Sequence, residues 1–133
     1  DSQSDANRVV LTSLMMDAGE VFLPKSAVVR DDEFAQLKMR NIVETILAQQ
    51  GQGYFQVECY TDKSPPEGYQ DNRDLTMQMA INLVEAMRAV EPRLRPSNFA
   101  AVGWGDSRME IEQKRKSLRP SNRVEIRLIK PRL

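Results

Sequence analysis

The sequence predicts an α/β fold, a two-layer sandwich in which a small mixed four-stranded sheet carries helices on one face, in the order β-α-β-α-β-(α)-β. Three observations lead there. Two long segments repeat apolar residues at three- and four-residue spacing, which stacks them on one side of a helix. Around them stand short runs in which apolar and polar residues alternate, as in strands with one buried and one polar face. The chain of 133 residues, 41% hydrophobic and 29% charged, suffices for one core, and it contains no repeat, low-complexity tract or second domain.

Residues 1–7 are small and polar without periodicity, so a flexible leader is expected there and a single domain over 8–133. The β-branched and aliphatic run Arg8 to Leu14, followed by the turn signal Asp17-Ala18-Gly19, predicts a first strand. Asp31, Asp32 and Glu33 place negative charge where the positive end of a helix dipole would lie. The helix behind them should bury Ala35, Met39, Ile42, Val43, Ile46 and Leu47 and end near Gly51. Gly51-Gln52-Gly53 releases a half-buried strand from Tyr54 to Tyr60, in which Phe55, Val57 and Cys59 alternate with Gln56 and Glu58. Pro65, Pro66 and Gly68 make the following segment a surface loop.

A second helix is expected from about Asn72 to Val90, with the stripe Leu75, Met79, Leu83, Ala86, Met87 and Val90 widened by Ile81 and Val84. Pro92 and Pro96 mark its end. Phe99 to Trp104 reads as a third strand broken by Gly103 and Gly105, and the charged stretch from Asp106 through Lys116 as a short helical or irregular surface segment. The last strand, Arg123 to Lys130, turns Val124, Ile126 and Leu128 to one side and stops at Pro131.

Composition excludes several functions. There is no histidine, which removes imidazole-based triads and the commonest neutral metal ligand; with no nucleophile elbow either, an enzyme is not expected, nor a metal or cofactor. Nineteen basic residues balance nineteen acidic ones, so no nucleic-acid partner is expected. No apolar run approaches the roughly 18 residues of a membrane span. The single cysteine, Cys59, has no partner for an intrachain bridge and falls on the inward side of its strand, as an inert buried thiol would.

Four short motifs stand in order along the chain: Tyr60-Thr61-Asp62 at a strand end, Asn72-Arg73-Asp74-Leu75-Thr76 opening a helix, Gly103-Trp104-Gly105-Asp106, and Ser121-Asn122-Arg123-Val124-Glu125-Ile126. In this order and spacing they resemble the C-terminal domain of the OmpA/MotB family, the periplasmic module that holds envelope proteins to peptidoglycan, and Phe22-Leu23-Pro24-Lys25-Ser26-Ala27 is similar to that family's opening segment. The resemblance runs from Val9 to Ile129. It implies that Asp62, with Thr61, receives the ammonium and α-amino end of diaminopimelate in the stem peptide, and that Asn72 and Leu75 match the family's Asn-x-x-Leu-Ser motif, Asn72 both capping the helix and reaching the ligand.

Two positions depart from the family pattern. Met79 and Asn122 stand where the family carries arginines that hold ligand carboxylates, and Arg123 matches the second arginine of the last motif. Losing two charge-assisted contacts would cost about 3 to 6 kcal/mol, unless Arg73, Arg119 or Arg123 supplies the charge. The resemblance therefore implies a non-catalytic periplasmic domain that anchors a membrane-attached parent protein, for example a flagellar stator, to peptidoglycan. The alternative it leaves open is the same fold with lost or altered peptidoglycan binding, serving as a homodimer or a protein-protein scaffold in an envelope complex.

Overall fold

A computed structural model of the protein describes residues 8–109, 111 and 118–131. Strands β1 (Arg8–Asp17), β2 (Tyr54–Tyr60), β3 (Phe99–Gly105) and β4 (Arg123–Pro131) form one sheet in the order β1-β4-β2-β3. β4 is antiparallel to both of its neighbours, whereas β2 and β3 are parallel. A parallel pair needs a crossover, and helix α2 (Asn72–Val90) supplies it. Helix α1 (Glu33–Ala48) lies between β1 and β2 in the chain. The mixed sheet with two helices is the predicted architecture. The leader lies outside the described residues, as does most of the expected surface segment up to Lys116, whose beginning at 106–108 is a turn.

The core joins Met39, Ile42 and Ile46 of α1 to Leu75, Met79, Leu83 and Met87 of α2, over Val57, Cys59, Val124, Ile126 and Leu128 of the sheet. Each helix starts on an aspartate outside it: Asp32 accepts from the Ala35 N–H, and Asp71 from the Asp74 N–H at 2.7 Å. The cap of α2 is thus Asp71; Asn72, expected to cap it, is its first residue. The buried stripe of α2 also differs from expectation at its edges. Ile81 and Val90 are exposed, and Thr76 and Ala80 are fully buried instead.

The larger correction concerns the far side of the sheet, expected to be polar and half-exposed. In β2, Gln56 and Glu58 are buried along with Phe55, Val57 and Cys59. Burying these groups requires partners, and Glu58 has them. Its Oε1 accepts from Trp104 Nε1 at 2.6 Å and from the Tyr60 hydroxyl at 3.1 Å, and its Oε2 from Arg127 Nη1 at 3.1 Å. Glu125, directly opposite Glu58 on β4, takes Arg123 and Arg119 at 3.3 and 3.4 Å. Two like charges across a ladder would repel; the three arginines offset them.

β1 is an edge strand, longer than the sequence pattern suggested because it continues through Met16 and Asp17. Its register against β4 shifts between Val10 and Thr12, leaving Leu11 as the extra residue of a bulge. Val10, Leu11 and Met15 are exposed along it.

Candidate functional site

Five segments converge at one end of the sheet: the C-terminal ends of β2 and β3, the start of α2, the turn after β1, and the loop before β4. Close backbone approach makes this possible. A Cβ on Gly103 would collide with the Met77 backbone, and Gly105 sits at φ 61°, beside the Arg73 backbone. The Gly105 N–H donates to Thr76 Oγ1 at 2.9 Å, Thr76 Oγ1 donates to the Asn72 carbonyl at 2.9 Å, and the Thr61 N–H donates to the Gly105 carbonyl at 3.0 Å. The threonine of the second motif thereby fixes the two strand ends against the helix start.

Beside this junction lies a cavity of about 330 Å³, lined by Leu23, Lys25, Thr61, Asp62, Ser64, Leu75, Met79 and Asn122 together with the Asp17–Gly19 turn. Asp62 is its anion. Asp62 Oδ1 accepts from Lys25 Nζ at 2.9 Å, from the Ser64 N–H at 3.0 Å and from the Ser64 hydroxyl. Asp62 Oδ2 accepts from Asn122 Nδ2 at 3.0 Å. Hydrogen bonds from Ser64, then Asn122, then Lys25 hold this carboxyl far below the usual carboxylate range. Asn122 Oδ1 in turn accepts from Thr61 Oγ1 at 2.9 Å and from the Asp62 N–H at 3.1 Å. An asparagine at this position ties the end of β2 to the start of β4 with both ends of its amide.

Of the residues singled out in the sequence, Thr61, Asp62, Leu75, Met79 and Asn122 line the cavity. Asn72 stands behind it: Nδ2 donates to the Asp62 carbonyl at 3.2 Å and Oδ1 is buried with no protein partner. Arg123 does not reach the cavity. It is 1% exposed on the opposite face of the sheet, with its guanidinium carbon 3.7 Å from the centre of the Tyr60 ring, and it donates to the Pro120 carbonyl at 3.1 Å. Strand parity could have foretold this, because Arg123 precedes the inward Val124. Arg119 faces Glu125, and Arg73 borders a separate cleft with Asn72, Trp104 and Asp106. None of the three replaces the charge absent at Met79.

The cation of the cavity is Lys25, a residue that the sequence pattern did not single out. It sits at the tip of a loop pinned by the Phe22–Val29 bridge, at φ 49°, the left-handed region that side chains other than glycine rarely adopt. Two further bonds hold the loop: the Ala27 N–H donates to the Tyr69 hydroxyl at 2.9 Å, and Asn82 Nδ2 donates to the Ala27 carbonyl at 2.8 Å. The only earlier sign was its place within the opening segment Phe22 to Ala27.

No group of metal-ligating side chains forms among the described residues. Cys59 is fully buried, and burial followed by the Glu58 charge pushes its thiol well above the usual range. The described helices include none long and apolar enough to cross a membrane.

The fold is that of an OmpA/MotB-like domain. Solved structures similar to the chain include the periplasmic domain of Helicobacter pylori MotB, at 17% identity and a TM-score of 0.68 over 90% of this chain and 79% of that one. The cell wall anchor of the T6SS from Pseudomonas aeruginosa matches at 19% identity and a TM-score of 0.66, over 96% and 91% of the two chains. An outer membrane protein from Borrelia burgdorferi matches at 19% identity and 0.63, over 89% and 88%. No protein-family model and no curated protein sequence matches, so the likeness is one of fold.

Proposed function

We propose that the chain is a non-catalytic periplasmic domain that holds a membrane or envelope protein, such as a flagellar stator, to peptidoglycan. The observation that carries this reading is the Asp62 carboxylate, kept ionised at the mouth of a cavity in a fold shared with a cell wall anchor. An ionised carboxylate accepts charge-assisted hydrogen bonds from an ammonium group, which the stem peptide carries on diaminopimelate. Co-sedimentation with purified sacculi tests the reading. The folded domain should pellet with the wall and Asp62→Asn should pellet less. Equal pelleting of the two would remove Asp62 from the interaction, and no pelleting of the native domain would sink wall binding itself.

A second reading, a homodimeric scaffold of the same fold, is favoured by the edge of β1. Exposed Val10, Leu11 and Met15 lie along an unusually long edge strand, where a second copy running antiparallel would extend the sheet. Sedimentation equilibrium of native and Met15→Lys protein distinguishes this.

A further inference from the structure

An ammonium group has three N–H donors and no acceptor, so a complete seat for it is three acceptors converging on one point. Lys25 Nζ has that seat: Thr61 Oγ1 at 2.9 Å, Asp62 Oδ1 at 2.9 Å and the Asp62 main-chain carbonyl at 3.0 Å. The lysine reaches it from a loop whose buried Phe22 and Ala27 fix the backbone, at a positive φ that costs the chain strain. A surface lysine pairing casually with a nearby carboxylate would need neither the converging acceptors nor the strained tip.

We propose that Lys25 is the internal occupant of an ammonium-binding seat at Asp62 and sets the specificity of the cavity by competing with the primary ammonium group of any ligand. The proposal rests on the reading of the Asp62 cavity as the ligand site. A tethered competitor acts at an effective concentration of about millimolar or more, so a ligand amine must displace a group that never diffuses away. Among the remaining walls, Leu23, Leu75 and Met79 offer apolar contact, Ser26 and Asn122 neutral polar groups and Asp17 a second carboxylate outside the seat, and none offers a second cation. Ligands that bring only an ammonium group are therefore held off, and a ligand succeeds by adding contacts elsewhere in the cavity.

The test uses Lys25→Gly, which removes the ammonium and suits a φ of 49°, with Lys25→Met as a second variant that keeps most of the stem. Amide shifts of Asp62, Ser64 and Asn122 are followed by NMR during titration with propylammonium chloride, with tetramethylammonium chloride, which has no N–H donor, as control. Propylammonium should saturate the shifts of both variants at concentrations at least tenfold below those needed for the native chain. Tetramethylammonium should not, and the gain should vanish in Lys25→Gly combined with Asp62→Asn. Equal affinity of native and variant chains, absence of binding to both folded variants, or a gain that survives Asp62→Asn would each overturn the proposal. Sacculus pelleting of the native chain separates this from the wall reading: ammonium binding gained without pelleting leaves the seat and removes the wall, whereas pelleting with no ammonium gain does the reverse.

Discussion

Asp62 is the residue on which the site turns, and its chemistry makes a prediction about acid. Its carboxyl is held well below the usual range in the folded chain, so the stabilisation it provides is complete above the unfolded value of about 3.9 and is lost as pH falls through that value towards the folded one. The Asp62 side chain is 37% exposed, so the contribution is on the order of 1 kcal/mol after solvent screening. Urea midpoints of native and Asp62→Asn protein should differ at pH 7, and the gap should narrow progressively as pH falls below about 4; a gap unchanged by pH would refute the assignment. Cys59 gives a second prediction. A thiol buried between the sheet and helices, with its ionisation suppressed, should react with a thiol reagent only as fast as the chain opens, and fast labelling under native conditions would contradict its placement. At this scale the sequence was legible where a motif marks the chain, as at Asp62 and Asn122. It was silent at Lys25, because a lysine in a proline-containing turn carries no periodicity. Only the meeting of residues 25 and 62 in space gives it a role.

Among the elements, the bounds of α2 and β2 were readable, because glycines before β2 and prolines after each element punctuate them, although the cap and the stripe edges of α2 were not. Nor was the far face of the sheet. Alternation shows which residues share a face; it does not show whether that face meets water: Glu58 reads as the polar side of a half-buried strand and Arg123 as a ligand contact, yet both are 1% exposed on the far face. The network around Glu58 should therefore be structural. Glu58→Ala removes the acceptor of the Trp104 indole and one partner of Arg127, and removing one partner of a buried pair costs about 3–5 kcal/mol, measurable by urea denaturation followed through Trp104 fluorescence. A loss below about 1 kcal/mol would mean that water reaches this face. On the other side of the sheet, Gly103→Ala should push α2 from β3 at an overpacking cost of about 1–3 kcal/mol, read as a lower urea midpoint.

Taken whole, the molecule presents two features to its surroundings, the cavity at one end of the sheet and the apolar edge of β1. Long exposed edges associate unless guarded, and β1 carries no charge between Val9 and Met16. If the edge makes a homodimer, Met15→Lys should shift the sedimentation equilibrium towards monomer while the far-UV circular dichroism of the folded chain is unchanged. An unchanged distribution would clear this edge of a role in assembly.

The register of β1 with β4 pairs Arg8 with Pro131 at one end and Asp17 with Arg123 at the other, and the cavity borders the second. Pulling on the Arg8 end of β1 against something held at the cavity would thus act along the strand, over a span of roughly 30 Å for ten residues. Antiparallel ladder bonds lie perpendicular to that line. Such a load is shared by the whole β1–β4 ladder at once, where a sideways pull would open it bond by bond, so the strand arrangement that builds the cavity also makes the domain resist tension best along β1.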